Sequence, residues 1–188
     1  MHADMTDESL MLAYRDGDVK AFATLYERHR GSLHRLIQRQ CGSAALAEEL
    51  FQDVWMNVIR ASARYEVSAK FTTWIYRIAH NRVIDHYREH ARVELESFGE
   101  DIPSEVETLA DMVHRQPEAV CDRKQRAEAL YAALQALPAA QREAFLMHEE
   151  GEMTLDEIAA AQGVGRETAK SRLRYAVARL REVIGDFA

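Results

Sequence analysis

The sequence predicts an all-α protein: two small helical domains joined by an acidic linker, the second containing a helix-turn-helix. Three observations carry this. Glycine and proline are few, 8 and 3 in 188 residues, and no long run alternates apolar with polar residues as a half-buried strand does. The apolar residues, 47% of the chain, recur instead at three- and four-residue steps. The charge is also concentrated. Of a net −7, residues 93–122 hold −8, while residues 1–92 sum to +1 and residues 123–188 to 0. That middle segment has two of the three prolines and no helical period, so it reads as a solvated linker between domains at 1–92 and 123–188.

Asp18 is the expected N-cap of the first helix, whose inner stripe is Ala21, Phe22, Leu25, Tyr26, Leu33, Leu36 and Ile37. Cys41-Gly42-Ser43 breaks it. Ser43 caps a second helix with Ala47, Leu50, Phe51, Val54, Trp55 and Val58 on one stripe and Glu48, Glu49, Gln52 and Asp53 on the opposite face. A looser stretch, SARYEVSAK, precedes a long helix over 71–92, with Phe71, Trp74, Ile75, Ile78, Ala79 and Val83 as its buried stripe. Residues 60–92 hold seven basic and three acidic residues, and Arg77, Asn81 and Arg88 share one helix face. Such a face holds a DNA strand by phosphate contacts and reads an unstacked base with Asn. Trp74 is expected in the core. Phe71, beside the loose stretch, fits either core packing or contact with a flipped base.

In the second domain Leu130, Leu134 and Leu137 mark a helix that Pro138 ends, and residues 139–151 form the next. Thr154 and Glu157 make a capping box for a short helix with Leu155, Ile158 and Ala159 inward. Gly163 suits a left-handed C-terminus, and helix resumes from Gly165 with Ala169, Leu173, Ala176, Val177, Leu180 and Ile184 inward. Short helix, tight turn and longer helix make a helix-turn-helix. The outward side of the last helix carries Arg166, Lys170, Ser171, Arg172 and Arg174, with six basic residues against one acidic over 164–181. In this motif that N-terminal half enters the major groove.

Other functions find little support. The start, MHADMTDESL, is unlike a signal peptide, and no apolar run approaches the roughly 18 residues of a membrane span, so no membrane insertion is expected. Cys41 and Cys121 lie far apart without a CxxC, which suits free thiols in a reducing cytoplasm. The eight histidines lack a surrounding ligand set, so no metal and no cofactor is expected. No phosphate-cradling loop or nucleophile–base pair stands out, so the chain is not read as an enzyme and has no small-molecule substrate. A free-standing regulator with residues 1–92 as a sensor or dimerisation domain is the alternative, but that half has no ligand-binding signature and has its own basic helix.

The residues then reach a resemblance. EIAAAQGVGRETAKSRLRYAVARLRE resembles the C-terminal DNA-binding region of sigma factors of the extracytoplasmic-function (ECF) group, and ALPAAQREAFLMHEEGEMTLDEIA the segment leading into it. AEELFQDVWMNVIR resembles that family's polymerase-docking helix. FTTWIYRIAHNRVIDHYR resembles its promoter-melting segment at Phe71, Trp74, Arg77, Ile78, Ala79, Asn81, Asp85 and Arg88. The match covers nearly the whole chain except the linker. It implies a sigma factor that binds core RNA polymerase, through the clamp helices of the largest subunit, and promoter DNA, under control of an anti-sigma factor. It implies polymerase binding by Glu48, Glu49, Gln52 and Asp53. It implies minus-10-side DNA binding by Lys70, Phe71, Arg77, Asn81 and Arg88, and minus-35-side binding by Arg166, Glu167, Thr168, Lys170, Ser171, Arg172 and Arg174. The acidic linker would pass near the polymerase's RNA exit path. The chain departs from the family pattern at Gln162, in place of a large apolar residue, at Ala169, in place of Val, and at Tyr175, in place of a basic residue. The first two are expected to loosen the helix-turn-helix, and the third to remove a phosphate contact.

Overall fold

Short polar side chains set four of the helix starts. The computed structural model describes residue 2, residues 4–97 and residues 120–185. There Thr6, Asp18, Ser43 and Thr154 each stand one residue ahead of a helix and accept a hydrogen bond from a backbone N–H of its first turn. The helices are α1 (Asp7–Arg15), α2 (Val19–Cys41), α3 (Ala44–Ala61), α4 (Phe71–Ser97), α5 (Val120–Gln135), α6 (Ala139–Gly151), α7 (Leu155–Gln162) and α8 (Arg166–Gly185). All regular structure among the described residues is helical, including a 3-10 turn over Ser62–Arg64. Gly42 (φ 71°) ends α2 at the expected break, and Gly163 (φ 65°) ends α7, left-handed as expected from sequence.

Sequence alone starts the first domain at Asp18 and misses α1. The local signal was there: Thr6 caps the helix, and Asp7 and Glu8 complement the positive end of its dipole. α1 buries Leu10 and Met11. Its two acids also fasten the rest of the domain. Asp7 takes Arg28 at 2.7 Å and His29 at 2.6 Å, and Glu8 Oε1 accepts the Phe71 N–H at 2.7 Å, capping α4 from another element. The His29 hydrogen bond, against partial burial, holds the Asp7 carboxyl below its ordinary value.

The expected stripes of α2 and α3 face the core, with Phe22 and Tyr26 partly buried at its edge. On α4, Phe71, Ile75, Ala79 and Val83 are buried, Trp74 and Ile78 partly so, and the fully buried Tyr76 was not foreseen. In the second half Leu134 and Leu137 are buried, but Leu130 is 37% exposed and does not belong to the core. α4 runs to Ser97 and α5 begins at Val120, so helix enters both ends of the segment read as linker; residues 98–119 and the side chains of Cys121 and Ile184 lie outside the described residues.

The two halves do not stand apart. Their buried residues form one cluster, with α2 packed on α6 and α4 on α7. Polar contacts seal the seam. Glu150 of α6 accepts from Arg35 Nε at 2.6 Å and from Arg39 Nη1. Arg142 donates to the Gln40 carbonyl at 3.0 Å and to its side-chain oxygen at 3.2 Å. Gln135 Nε2 donates to the Arg39 carbonyl at 2.8 Å. Cys41 is half-buried beside Arg142 and Tyr87, and burial pushes its thiol up to about 11.

Candidate nucleic-acid interface

The sequence-derived site residues fall on three faces. The first is the open side of α3. Glu48, Glu49 and Gln52 are exposed and Asp53 is half-exposed. Gln52 Nε2 donates to Glu48 Oε1 at 2.9 Å, one helical turn away, and Asp53 takes Arg82 of α4 at 2.8 Å. Two residues that sequence reasoning missed extend this face: Met56 is 46% and Ile59 37% exposed. Both depart from the inner stripe, and that was the available signal. The face is therefore acidic toward its N-terminal end and apolar toward its C-terminal end, which suits a basic and partly apolar partner surface.

The second face belongs to α4 and the turn before it. Lys70 lies just ahead of the helix, Arg77 and Asn81 one turn apart on it, and Arg88 further along; all four are exposed. Phe71 is not part of this face. It is fully buried, with its ring 5.2 Å from that of His29, 5.8 Å from Trp74 and 6.4 Å from Tyr65. As the first residue of α4, with its N–H held by Glu8, it points into the core, so stacking on a base requires the core to open. The rest of the face borders the second half of the chain. Arg77, His80 and Asn81 share a cleft with Ala160, Ala161, Gln162 and Gly163 at the end of α7. Lys70 Nζ is 2.8 Å from Glu157 Oε1. That hydrogen bond and the carboxylate charge raise the Lys70 ammonium above its ordinary value. Partial burial would raise Glu157, but hydrogen bonds from Lys70 and Thr154 outweigh it and hold its carboxyl low. His80 Nδ1 lies 2.8 Å from Glu143 Oε1 of α6, a contact that no sequence signal marked.

The third face is α8. Gly165 supplies the carbonyl that receives the Thr168 and Ala169 N–H groups as the helix opens. Arg166, Glu167, Thr168, Lys170 and Arg174 are exposed, and Ser171 and Arg172 are half-buried. The first turn makes local ion pairs: Arg166 with Asp156 at 2.9 Å, Lys170 with Glu167 at 3.6 Å. Arg174 lies over the Tyr175 ring, 5.0 Å from its centroid. Arg172 turns toward α7, where its Nη1 donates to Gln162 Oε1 at 3.0 Å. The departures at Gln162 and Ala169 do not open the motif: both are buried, and Gln162 is hydrogen-bonded on both sides of its amide. Among the described residues no group of three His, Cys, Asp or Glu is placed to hold a metal ion, and no helix is long and apolar enough to cross a membrane.

Comparison with known proteins agrees with this layout. Sigma-70 region 2 matches residues 25–93 and sigma-70 region 4 matches residues 127–180. The RNA polymerase sigma factor CarQ of Myxococcus xanthus is 30% identical over 176 residues, 94% of this chain and 96% of that protein. The ECF RNA polymerase sigma factor RpoE of Cereibacter sphaeroides is 34% identical over 183 residues, 96% of each. Among solved structures, the sigma factor RpoE bound to the anti-sigma factor NepR from Bartonella quintana shares the fold at a TM-score of 0.67 and 22% identity, covering 89% of this chain and 98% of that one. CnrH in complex with the cytosolic domain of CnrY does so at 0.67 and 20%, covering 97% and 99%. This chain thus belongs to the ECF group of RNA polymerase sigma factors, and with its sigma-70 regions 2 and 4 it binds core RNA polymerase and directs transcription initiation at promoters.

Proposed function

We propose that the open face of α3 docks on core polymerase, that α4 holds the separated strand on the minus-10 side, and that α8 reads the minus-35 side. The packed arrangement is then a form that binds polymerase first and opens DNA only after its halves part. One observation carries this. The α3 face is clear of the second half of the chain, whereas on the α4 face Lys70 is paired with Glu157, and Arg77 and Asn81 border the end of α7. A DNA strand and α7 cannot occupy that cleft together. The chain acts in the cytoplasm, has no catalysis of its own, and is controlled by an anti-sigma factor that favours the packed form; the two solved relatives above, each in a complex, support such a partner.

Two variants test the assignment. Glu49→Lys leaves the Asp53–Arg82 pair intact, and it should abolish copurification with core polymerase while circular dichroism stays unchanged. Undiminished copurification would sink the docking face. Asn81→Ala should weaken promoter opening, read by permanganate reactivity of unpaired thymines, more than holoenzyme binding to the same promoter. Equal losses would make Asn81 a duplex contact instead.

A further inference from the structure

Gln162 is a polar residue in the middle of the helix-turn-helix core, 6% exposed. Its Nε2 donates to the Ala140 carbonyl at 3.2 Å and to Glu143 Oε2 at 2.9 Å, while its Oε1 accepts from Arg172 Nη1 at 3.0 Å. A primary amide has two donor hydrogens, and here each has an oxygen in front of it. Rotating the amide by half a turn would set its oxygen against two oxygens and its N–H groups against a guanidinium. Only one orientation satisfies the site, and that orientation presents an acceptor to Arg172. Glu143 fixes the other end. It is 3% exposed and is itself held by His80 Nδ1 at 2.8 Å. An apolar side chain at position 162 would remove a donor from this buried carboxylate and the acceptor from Arg172.

Arg172 sits in the second turn of α8, between the exposed Lys170 and Arg174. Its long side chain is rotamer-rich when free, and ordering it on binding DNA opposes affinity. Anchoring one guanidinium nitrogen while the fork keeps its remaining donors orders the side chain in advance. We propose that Gln162 is a positioning residue for promoter binding: it holds Arg172 ready for a phosphate of the minus-35 element. This rests on the assignment of α8 as the DNA-reading helix, and its test separates the two.

The test uses holoenzyme reconstituted from core polymerase and the full chain, binding promoter DNA over a range of salt concentrations. Arg172→Ala should weaken binding and flatten the salt dependence by about one unit of slope, since one phosphate contact is lost. Gln162→Met, of similar length, should weaken binding about threefold to tenfold with the slope retained, because the charge stays but is no longer ordered. In the double variant the Gln162→Met effect should vanish, leaving the affinity of Arg172→Ala alone. A general weakening of the fold would instead add in full to the arginine loss, and that result overturns the proposal. No loss for Arg172→Ala overturns the DNA contact itself. If Gln162→Met fails to fold, Gln162→Asn decides: it keeps the amide but is one methylene shorter, so its oxygen draws back from Arg172, and binding equal to that of the wild type would refute positioning by residue 162.

Discussion

Gly151 closes α6 against the first half of the chain and offers a way to part the two halves without touching any charge. A Cβ at Gly151 would lie 2.9 Å from Tyr76 Cε1, 3.0 Å from Tyr76 Cζ and 3.2 Å from Met153 Cγ. Carbon atoms rest at about 3.5–4.0 Å, so the methyl group of Gly151→Ala overlaps the ring by roughly half an ångström or more. The Met153 side chain is flexible and can give way. The Tyr76 ring is fully buried and cannot, so α6 has to back away. Overpacking of this kind typically costs about 1–3 kcal/mol. Once the halves are apart, Tyr76 no longer meets position 151, so the overlap burdens the packed form alone; the helix preference of alanine acts alike in both forms, since α6 is already helical in the packed one. The equilibrium should move toward it by about 1–3 kcal/mol, roughly 5- to 150-fold.

The assay is energy transfer between dyes on Ser68→Cys and Arg179→Cys, both exposed positions on opposite sides of the seam, with the native cysteines replaced by serine. Transfer in the free chain should fall in the Gly151→Ala background while helix content is kept. Affinity for core polymerase should hold, since the packed form already binds it, while holoenzyme affinity for promoter DNA should rise, because a binding-competent form that is only partly populated lowers apparent affinity by its fraction. Unchanged transfer together with unchanged thermal stability would show that the seam absorbs a methyl group. A fall in the holoenzyme's promoter affinity would refute the idea that the packed form has to open.

Three further outcomes are expected. Lys170→Ala should relax preference at one position of the minus-35 element, by about 1–3 kcal/mol, whereas Arg174→Ala, nearer the phosphates, should weaken every single-base variant alike; a panel of variant promoters bound by holoenzyme decides. Asp7 is held below its ordinary value of 3.8. The stability it contributes is therefore complete above that value and lost as pH falls through its lowered folded-state pKa, so hydrogen exchange in α1 should rise on strong acidification, and Asp7→Asn should remove that pH dependence. With its thiol at about 11, Cys41 should react slowly with iodoacetamide at neutral pH and faster only as pH climbs toward that value; rapid labelling at pH 7 would show the site to be open.

How far the sequence speaks depends on how far apart the partners are. Caps lie within three residues of the groups they hold, so Asp18, Ser43, the Thr154–Glu157 box and the Gly163 turn could all be read directly. Apolar periodicity likewise marked the stripes of α2, α3 and α8. Phe71 shows the limit of that method. Its place at a helix start left it open to either core or DNA, and the residue that settles it, Glu8, is 63 positions away. Gln162 shows it again. As a polar residue in an apolar pattern it looked like a packing fault, because its partners Ala140 and Glu143 stand 22 and 19 positions earlier. The seam is entirely of this kind: Glu150 meets Arg35 across 115 positions and Arg39 across 111.

The seam also changes what the charge balance means. The two halves, at +1 and 0, looked electrostatically indifferent to each other. Yet Glu143, Glu150 and Glu157 meet His80, the Arg35–Arg39 pair and Lys70 of the first half. Glu143 is buried and meets His80 with little screening, whereas the Arg35, Arg39 and Lys70 side chains are 52%, 41% and 68% exposed, so those pairs weaken with salt. Glu157 occupies the ammonium group that the DNA assignment gives to a phosphate. One cation cannot serve both anions, so promoter DNA and α7 compete for it. On that assignment DNA has to displace a carboxylate held across the seam, while polymerase approaching α3 meets a face clear of the second half of the chain. If α4 holds DNA as proposed, this contact favours polymerase before promoter, and a partner that strengthened the Lys70–Glu157 pair would hold the chain back from the strand-holding step that needs α4.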